Sequence, residues 1–255
     1  MINAIIGALI IGLSLGVFGS GGSILTVPTL LYLVNMPAQV AIASSLFIVG
    51  GICLVSSSVN IYKRKVSWPH VLLFGIPGMV GTYSGAWLGV MVDSKIQLAV
   101  FVLLMSVAAV LMWRGKPKDS LSGAGGEGGE LKIIKIGLDG LFVGIITGFV
   151  GVGGGFLIVP ALIFLGGLSM SLAVGTSLVI IAMQSFSGFF KYYSALSSQN
   201  FTFDWWVIGL MIAGGVIGSF SGIWLSGRLP KEKLQKSFSI FLVVMAIVVF
   251  TQSVL

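Results

Sequence analysis

The sequence predicts an all-α polytopic membrane protein, built from two inverted-topology repeats of about five apolar segments each, with a short broken or re-entrant helix in each repeat. Three observations predict this fold class: the composition, the spacing of the apolar stretches and an internal repeat. Of the 255 residues, 56% are hydrophobic and only 8% are charged, and the mean hydropathy is +1.11. A soluble domain carries about 25% charged residues. The composition therefore excludes a soluble enzyme, a disordered chain and a collagen-like fibre.

Ten apolar stretches follow one another along the chain. They run approximately over residues 2–18, 23–34, 38–59, 69–92, 95–113, 133–150, 155–168, 170–190, 204–227 and 235–254. Most of them are long enough to cross about 30 Å of hydrocarbon as a helix. Residues 23–34 and 155–168 give only about 18–21 Å of helix, so we expect half-helices or re-entrant segments there.

The positive charges predict the orientation. Three clusters, at residues 63–65, 114–135 and 228–236, hold 12 of the 14 Lys and Arg residues. Placing these clusters in the cytoplasm satisfies the positive-inside rule. The net charge of +7 then reflects topology. Nucleic-acid binding is not expected, because no basic stripe is interleaved with aromatic side chains.

The two halves of the chain resemble each other. Residues 16–28 read GVFGSGGSILTVP and residues 148–160 read GFVGVGGGFLIVP, at a constant offset of 132. The same offset carries Ser45 onto Ser177 and places Ser44 opposite Thr176. Further along, an offset of 137 carries Gly78, Gly81, Ser84, Gly85, Trp87 and Leu88 onto Gly215, Gly218, Ser221, Gly222, Trp224 and Leu225. So many ordered identities indicate a duplication.

The charge map indicates that the two repeats cross the membrane in opposite senses. Five apolar segments per repeat is an odd number, so equivalent segments point in opposite directions. The predicted units are an N-terminal transmembrane repeat over residues 1–113, a flexible cytoplasmic linker over 114–131 and a C-terminal transmembrane repeat over 132–255. Inverted repeats with paired short helices are typical of secondary transporters, which bind solute near the membrane midplane.

The glycine motifs are the predicted binding elements. Consecutive glycines interrupt a helix, and the amides freed at the start of the next half-helix, with its positive dipole end, suit an anion. Hydroxyls in the following segment and one polar residue in a later span add side-chain candidates. The predicted substrate-binding residues are Gly19, Ser20, Gly21, Gly22, Ser44, Ser45, Gly151, Gly153, Gly154, Gly155, Thr176, Ser177 and Gln184.

Other interpretations of the same residues stay open. Helix hydroxyls commonly bond to their own backbone. The glycines spaced along residues 78–85 and 215–222 favour close helix packing. Asp139 is the one acid placed within a span, as an interfacial partner of Lys135 or as a proton relay. One His, one Cys and one such acid are too few for a metal set or a catalytic dyad, so we expect no cofactor, no metal and no enzyme activity.

At the glycine–proline motifs the chain resembles the sulfite exporter TauE/SafE family, the TSUP permeases. The resemblance covers essentially the whole chain, with G-x-G-G followed by Pro28 in one half and Pro160 in the other. It implies a multi-pass carrier of the bacterial inner membrane for sulfur-containing anions such as sulfite or organosulfonates, with protons as the implied coupling ion. The first motif has Ser20 and Ser23 where the second has Val152 and Gly155, so the two half-sites need not contribute equally.

The expected function is therefore secondary transport of a small sulfur-containing anion by alternating access between inverted repeats. The expected partners are the lipid bilayer, the anionic solute and protons, and a homo-oligomer is left open. Two alternatives remain, an anion channel and a non-transporting membrane scaffold. Which anion is carried, and in which direction, does not follow from the sequence.

Overall fold

A computed structural model describes residues 2–114, 129–151, 155–197, 201–226, 228 and 231–254. Within these ranges the protein is helical and contains no strand. The helices are α1 Ile2–Phe18, α2 Gly21–Leu33, α3 Ala38–Tyr62, α4 Trp68–Val90, α5 Ser94–Arg114, α6 Gly129–Val150, α7 Gly155–Phe164, α8 Met170–Ser197, α9 Trp205–Ser226 and α10 Lys231–Val254. The predicted all-α fold is confirmed.

Helices α2 and α7 are the two short elements expected after the glycine motifs. Pro28 lies inside α2 and Pro160 lies inside α7. A proline within a helix cannot donate to the ladder and crowds the preceding turn. In α2 the next five residues, Thr29–Leu33, widen into a π-helical turn, which the amide of Val34 closes on the carbonyl of Thr29 at 3.2 Å. The local widening accommodates the proline without ending the helix.

Four helices in the described part of the chain are long and apolar enough to cross a bilayer: α3, α4, α8 and α9. Shorter apolar helical stretches occur in α1, α2, α5 and α10. The protein is therefore a helical membrane protein. That all ten apolar stretches act as membrane segments stays a prediction.

The most extensive helix interfaces join the first half of the chain to the second. Helix α1 packs along α9, α4 along α6, α3 along α8, and α5 along α10. Under the sequence offsets, α1 corresponds to α6 and α4 to α9, while α3 corresponds to α8 and α5 to α10. Exchanging the two halves therefore leaves the pattern of contacts unchanged.

At two of these interfaces, glycines allow a short distance between the helix backbones. A Cβ atom added to Gly81 or Gly85 of α4 would collide with a backbone carbonyl of α6, and one added to Gly218 or Gly222 of α9 would collide with a backbone carbonyl of α1. The carbonyls belong to equivalent residues, Leu141 and Ile145 in α6 and Leu9 and Leu13 in α1. The packing interpretation of these glycines is confirmed.

Two helices flank the predicted linker. Helix α5 ends at Arg114 and α6 begins at Gly129, whereas the predicted linker ran over residues 114–131. Residues 115–128 lie outside the described part of the chain. The division into two repeats joined by a cytoplasmic linker stays a prediction.

Candidate functional site

The two helix breaks occur at equivalent glycines and have the same backbone conformation. Gly19 follows α1 with a φ of +73°, and Gly151 follows α6 with a φ of +70°. Glycine enters this left-handed region without the steric cost of a side chain, so each helix can end there. The predicted interruption of the helices is confirmed at both glycines, because α1 ends at Phe18 before Gly19 and α6 ends at Val150 before Gly151.

A serine from the opposite half of the chain holds each break. Ser45 of α3 donates its hydroxyl proton to the carbonyl of Gly151, and Ser177 of α8 donates to the carbonyl of Gly19, both at 3.1 Å. Each hydroxyl also reaches the carbonyl three residues earlier in its own helix, at 2.7 and 2.9 Å. One proton serves two carbonyls in each case, so contact with an oxyanion would require these hydroxyls to rotate.

The N-termini of the two short helices lie against each other. A Cβ atom placed on Gly155, the first residue of α7, would be 3.2 Å from Cα of Ser20 and 3.1 Å from Oγ of Ser23. Ser20 immediately precedes α2, and Ser23 lies in its first turn. Both serines are fully buried. Two helix N-termini, each with a positive dipole end, therefore converge in one enclosed region.

Several buried polar groups find no hydrogen-bond partner among the described residues, and we call them orphan groups. They are the hydroxyls of Ser14, Ser20, Ser44, Ser56, Ser185 and Ser219, Nδ2 of Asn60, Oδ2 of Asp139 and both amide atoms of Gln184. In a membrane interior an unsatisfied polar group costs several kcal/mol. Orphan groups therefore mark positions that water or a polar solute can satisfy. Three of the predicted site residues, Ser20, Ser44 and Gln184, carry such groups.

Thr176 points away from the break that its neighbour Ser177 holds. Its Oγ1 accepts a hydrogen bond at 2.9 Å from the amide of Ser67, in the loop before α4. The side chain of Ser67 is itself 2.8 Å from Nδ1 of His70. Thr176 thus fixes this loop in the present conformation. Its equivalent, Ser44, is equally buried but has an orphan hydroxyl.

Two of the predicted glycines have a clear packing role. A Cβ on Gly22 would collide with the carbonyl of Ile11 in α1, and a Cβ on Gly21 would lie 2.8 Å from Oγ of Ser14. Both glycines therefore let α2 fold back closely on α1. Gly153 and Gly154, the corresponding pair in the second motif, lie outside the described residues.

Gln184 occupies a space that a glycine leaves free. It lies on α8 and is 1% exposed, and its amide rests where a Cβ of Gly78 in α4 would be. The offsets place Ile52 and Gly215 at the equivalent positions, and there the side chain of Ile52 fills the space over Gly215. The same pocket thus holds a hydrocarbon in one half and an unpartnered amide, within the described structure, in the other.

Asp139 lies on α6 and is half-buried. Its Oδ2 is an orphan group, so that oxygen accepts no hydrogen bond from Lys135 or from any other described residue. Among the described residues, no three His, Cys, Asp or Glu side chains are grouped closely enough to hold a metal ion.

Sequence reasoning missed five orphan groups, on Ser14, Ser56, Asn60, Ser185 and Ser219. In the sequence, these serines look like ordinary helix hydroxyls, which normally bond to the carbonyl three or four residues earlier. Thr82 and Ser84 do form that bond, to Gly78 and Val80. Only the packed structure distinguishes the two kinds of hydroxyl.

Comparisons with known proteins match nearly the whole chain. The family model for the sulfite exporter TauE/SafE matches residues 4–249. A "Probable membrane transporter protein" from Xylella fastidiosa (strain 9a5c) is 31% identical over 249 residues, which cover 96% of this chain and 92% of that protein. One of the same name from Haemophilus influenzae is 27% identical over 262 residues and covers 96% of both chains. The "Probable membrane transporter protein YunE" of Bacillus subtilis is 29% identical over 203 residues, 70% of this chain and 74% of that one.

No solved structure matches the chain. The match of the family model along almost the full length, on two glycine motifs that the structure brings together, decides the family. The chain belongs to the sulfite exporter TauE/SafE family.

Proposed function

We propose that this protein is a secondary transporter of small sulfur-containing anions, such as sulfite or an organosulfonate, working by alternating access between two inverted repeats. The relatives are named as probable membrane transporters, which supports transport in general terms. The sulfur-containing substrate is what the family resemblance implies, whereas the binding of a small anion and the alternating access are inferred from the geometry of the breaks.

The single observation that supports an anionic substrate is that two helix N-termini lie against each other beside Ser20. Gly155 begins α7 against the residue that precedes α2, and the Ser20 hydroxyl there is an orphan group. No Lys or Arg of described burial is buried. Binding would therefore rest on amides, hydroxyls and helix dipoles, which favour a small oxyanion through several hydrogen bonds. Such a neutral donor set also allows release, because no fixed positive charge holds the anion.

Alternating access is supported by the reciprocal contacts of the two halves. Ser45 holds the break at Gly151, and Ser177 holds the break at Gly19. Because the halves make equivalent contacts, any conformation in which they differ has a counterpart of similar energy in which their roles are swapped. If the repeats are inverted in the membrane, as the charge clusters predict, those two conformations open to opposite sides.

The remaining assignments follow from the same proposal. The charge clusters and the family resemblance support a multi-pass protein of the bacterial inner membrane. A proton is the coupling ion that the resemblance implies. Asp139 is the residue we assign to it, because among the described acidic side chains it alone carries a buried orphan oxygen.

Counterflow in liposomes tests the proposal. Purified protein is reconstituted with unlabelled sulfite inside, and uptake of labelled sulfite or of a labelled sulfonate is measured with and without a pH gradient. A carrier gives transient accumulation of label above equilibrium. Flux without counterflow would indicate a channel, and the absence of binding and flux for a panel of sulfur anions would overturn the anion assignment.

A matched pair of serine variants links the flux to the site. We expect Ser20→Ala to raise the KM for the transported anion, because it removes a free donor at the meeting point of the two helices. Ser221→Ala is the control, since that hydroxyl is exposed and bonds to the carbonyl of Ile217 at 3.2 Å. Equal KM values for the two variants would exclude Ser20 from the site.

A further inference from the structure

Two equivalent helix–helix contacts, which we call seams, extend from the crossing of α3 and α8. In one seam α3 packs on α9, and in the other α8 packs on α4. The α3–α9 seam begins with Ile52 packed over Gly215, and the α8–α4 seam begins with Gln184 packed over Gly78. At the crossing itself, a Cβ on Gly50 of α3 would lie 3.2 Å from Cβ of Ser185. The orphan groups of Gln184 and Ser185 therefore lie where both seams start.

One turn along, the two seams differ. The α8–α4 seam has Gly188 against Thr82, where an added Cβ would be 2.9 Å from Cγ2 of the threonine. The Thr82 hydroxyl is satisfied, because it donates to the carbonyl of Gly78 at 2.8 Å. The equivalent pair on the α3–α9 seam is Ser56 and Ser219, each one turn beyond the contact of Ile52 with Gly215. Both serines are fully buried, and both hydroxyls are orphan groups.

A further turn along, the α8–α4 seam is closed by a polar cluster. Nε2 of Gln97 in α5 donates to the carbonyls of Gly89 and Phe149, both at 2.8 Å, and lies 3.1 Å from the hydroxyl of Tyr192. We call these four residues the Gln97 cluster. It ties the ends of α4 and α6 to α5 and α8, beside the break at Gly151, where a Cβ would be 3.2 Å from the Tyr192 hydroxyl.

The α3–α9 seam has no such closure at the described residues. The equivalent of Tyr192 is Asn60, whose Nδ2 is an orphan donor and whose side chain is 5% exposed. The offset of 137 places Leu234, which has no hydrogen-bonding side chain, opposite Gln97 in the sequence. Just beyond Asn60, the chain carries Lys63 and Arg64, both exposed. A positive mouth of this kind raises the local concentration of anions.

We propose that the anion passes along the α3–α9 seam, over Ser56, Ser219 and Asn60 towards Lys63, and that the Gln97 cluster keeps the opposite seam shut while this seam is open. The inference rests on the proposed function and adds its route. Each residue on the route offers an O–H or N–H donor, which fits an oxyanion. In the present conformation both seams are closed, but beyond the crossing of α3 and α8 only the α8–α4 seam is closed by satisfied hydrogen bonds, at Thr82 and in the Gln97 cluster. The α3–α9 seam opens first, because water and solute satisfy its orphan groups as it opens.

Cysteine labelling tests the route with a matched pair. Cys53 is the single cysteine of the chain, so Cys53→Ala gives a cysteine-free background. Ser219→Cys reports on the α3–α9 seam, and its equivalent Thr82→Cys reports on the α8–α4 seam. Both are treated in liposomes, from both sides, with an anionic methanethiosulfonate. We expect Ser219→Cys to react roughly tenfold faster, as the net strength of one or two hydrogen bonds implies, and an organosulfonate, which unlike sulfite does not react with the reagent, to slow that reaction.

Removing the Gln97 cluster should reverse the contrast. Gln97→Leu copies the residue found at the equivalent position, and we expect it to speed labelling of Thr82→Cys and to slow labelling of Ser219→Cys. Tyr192→Phe keeps the ring and removes one hydroxyl, so it should act in the same direction with a smaller change. If Gln97→Leu does not fold, Tyr192→Phe tests the same cluster. Ser56→Cys, compared with Gly188→Cys, is the second reporter pair.

The labelling and transport experiments distinguish a failure of the proposed route from a failure of the proposed function. Equal labelling in both pairs, or faster labelling at Thr82→Cys in the parent, overturns the route, as does a Thr82→Cys rate that neither Gln97→Leu nor Tyr192→Phe changes. Counterflow of sulfite without the labelling contrast leaves transport standing and removes only the route. The contrast without flux of any sulfur anion supports the route and overturns the sulfur-anion assignment.

Discussion

The two glycine breaks share one backbone and differ in the side chains around them. Gly19 and Gly151 have nearly the same φ, and each receives a hydrogen bond from the equivalent serine of the other half. The glycines that let α9 pack on α1 and α4 pack on α6 meet equivalent carbonyls. The two halves therefore share the backbone geometry of the breaks and of the close helix contacts.

The polar side chains follow no such rule. Ile52 corresponds to Gln184 and Asn60 to Tyr192, and in each pair one residue is satisfied by its surroundings while the other carries an orphan group. A side-chain change in one half can be tolerated without a change in the other. The helix scaffold is therefore symmetric between the two halves, whereas the buried polar side chains are not.

The largest effect is expected where the two halves are most alike, at the helix–helix contacts. A Cβ on Gly16 would collide with the carbonyl of Ser219, and a Cβ on Gly148 with the carbonyl of Thr82. Because a backbone carbonyl cannot rotate away, Gly16→Ala and Gly148→Ala should each lower the free energy of unfolding by about 3 kcal/mol or more, and the two losses should be similar. Thermal unfolding in detergent, followed by tryptophan fluorescence, measures this.

Gly209→Ala is the control for these two variants. A Cβ at Gly209 has no neighbour within 4 Å among the atoms of the described structure. Alanine should leave the melting temperature unchanged or raise it, because alanine is favoured over glycine in a helix by about 1 kcal/mol. A melting temperature for Gly148→Ala equal to that of Gly209→Ala would refute the close contact, and a large difference between Gly16→Ala and Gly148→Ala would refute the symmetry.

The sequence was sufficient for the features that the backbone repeats. Glycine and proline restrict or release the backbone directly, so residues 16–28 and 148–160 predicted both breaks and both short helices. The spaced glycines of α4 and α9 predicted packing for the same reason. The inversion of the repeats in the membrane stays a prediction from the charge clusters.

The sequence was less informative about the side chains of the site. It placed Ser44, Ser45, Thr176 and Ser177 in one class, whereas the structure separates them: two hold the breaks, Thr176 binds the Ser67 amide and Ser44 has an orphan hydroxyl. Neighbouring residues on a helix point about 100° apart, so which of them meets a break depends on how α3 and α8 cross. That crossing is a tertiary property with no local sequence signal.

A middle-sized effect is expected where the two halves differ, at Ile52 and Gln184. Gln184→Ile copies the other half and removes an orphan amide, so it should stabilise the protein by about 1–3 kcal/mol and reduce anion flux. Ile52→Gln adds a buried amide and should destabilise the protein by a similar amount. Both are measured by thermal unfolding together with sulfite uptake. A Gln184→Ile variant that is less stable and transports normally would show that Gln184 is a packing residue.

The smallest effect tests the reciprocal bonds at the breaks. Ser45→Ala and Ser177→Ala each remove one hydrogen bond between the halves, so each should lower the free energy of unfolding by about 1 kcal/mol. The two losses should be equal and should add in the double variant, because the bonds lie at separate breaks. Ser84→Ala is the control, since its hydroxyl is exposed and bonds only within its own helix. A loss confined to one serine would mean that only one break is held from the opposite half, and the conformations related by exchanging the halves would then differ in energy by that missing bond.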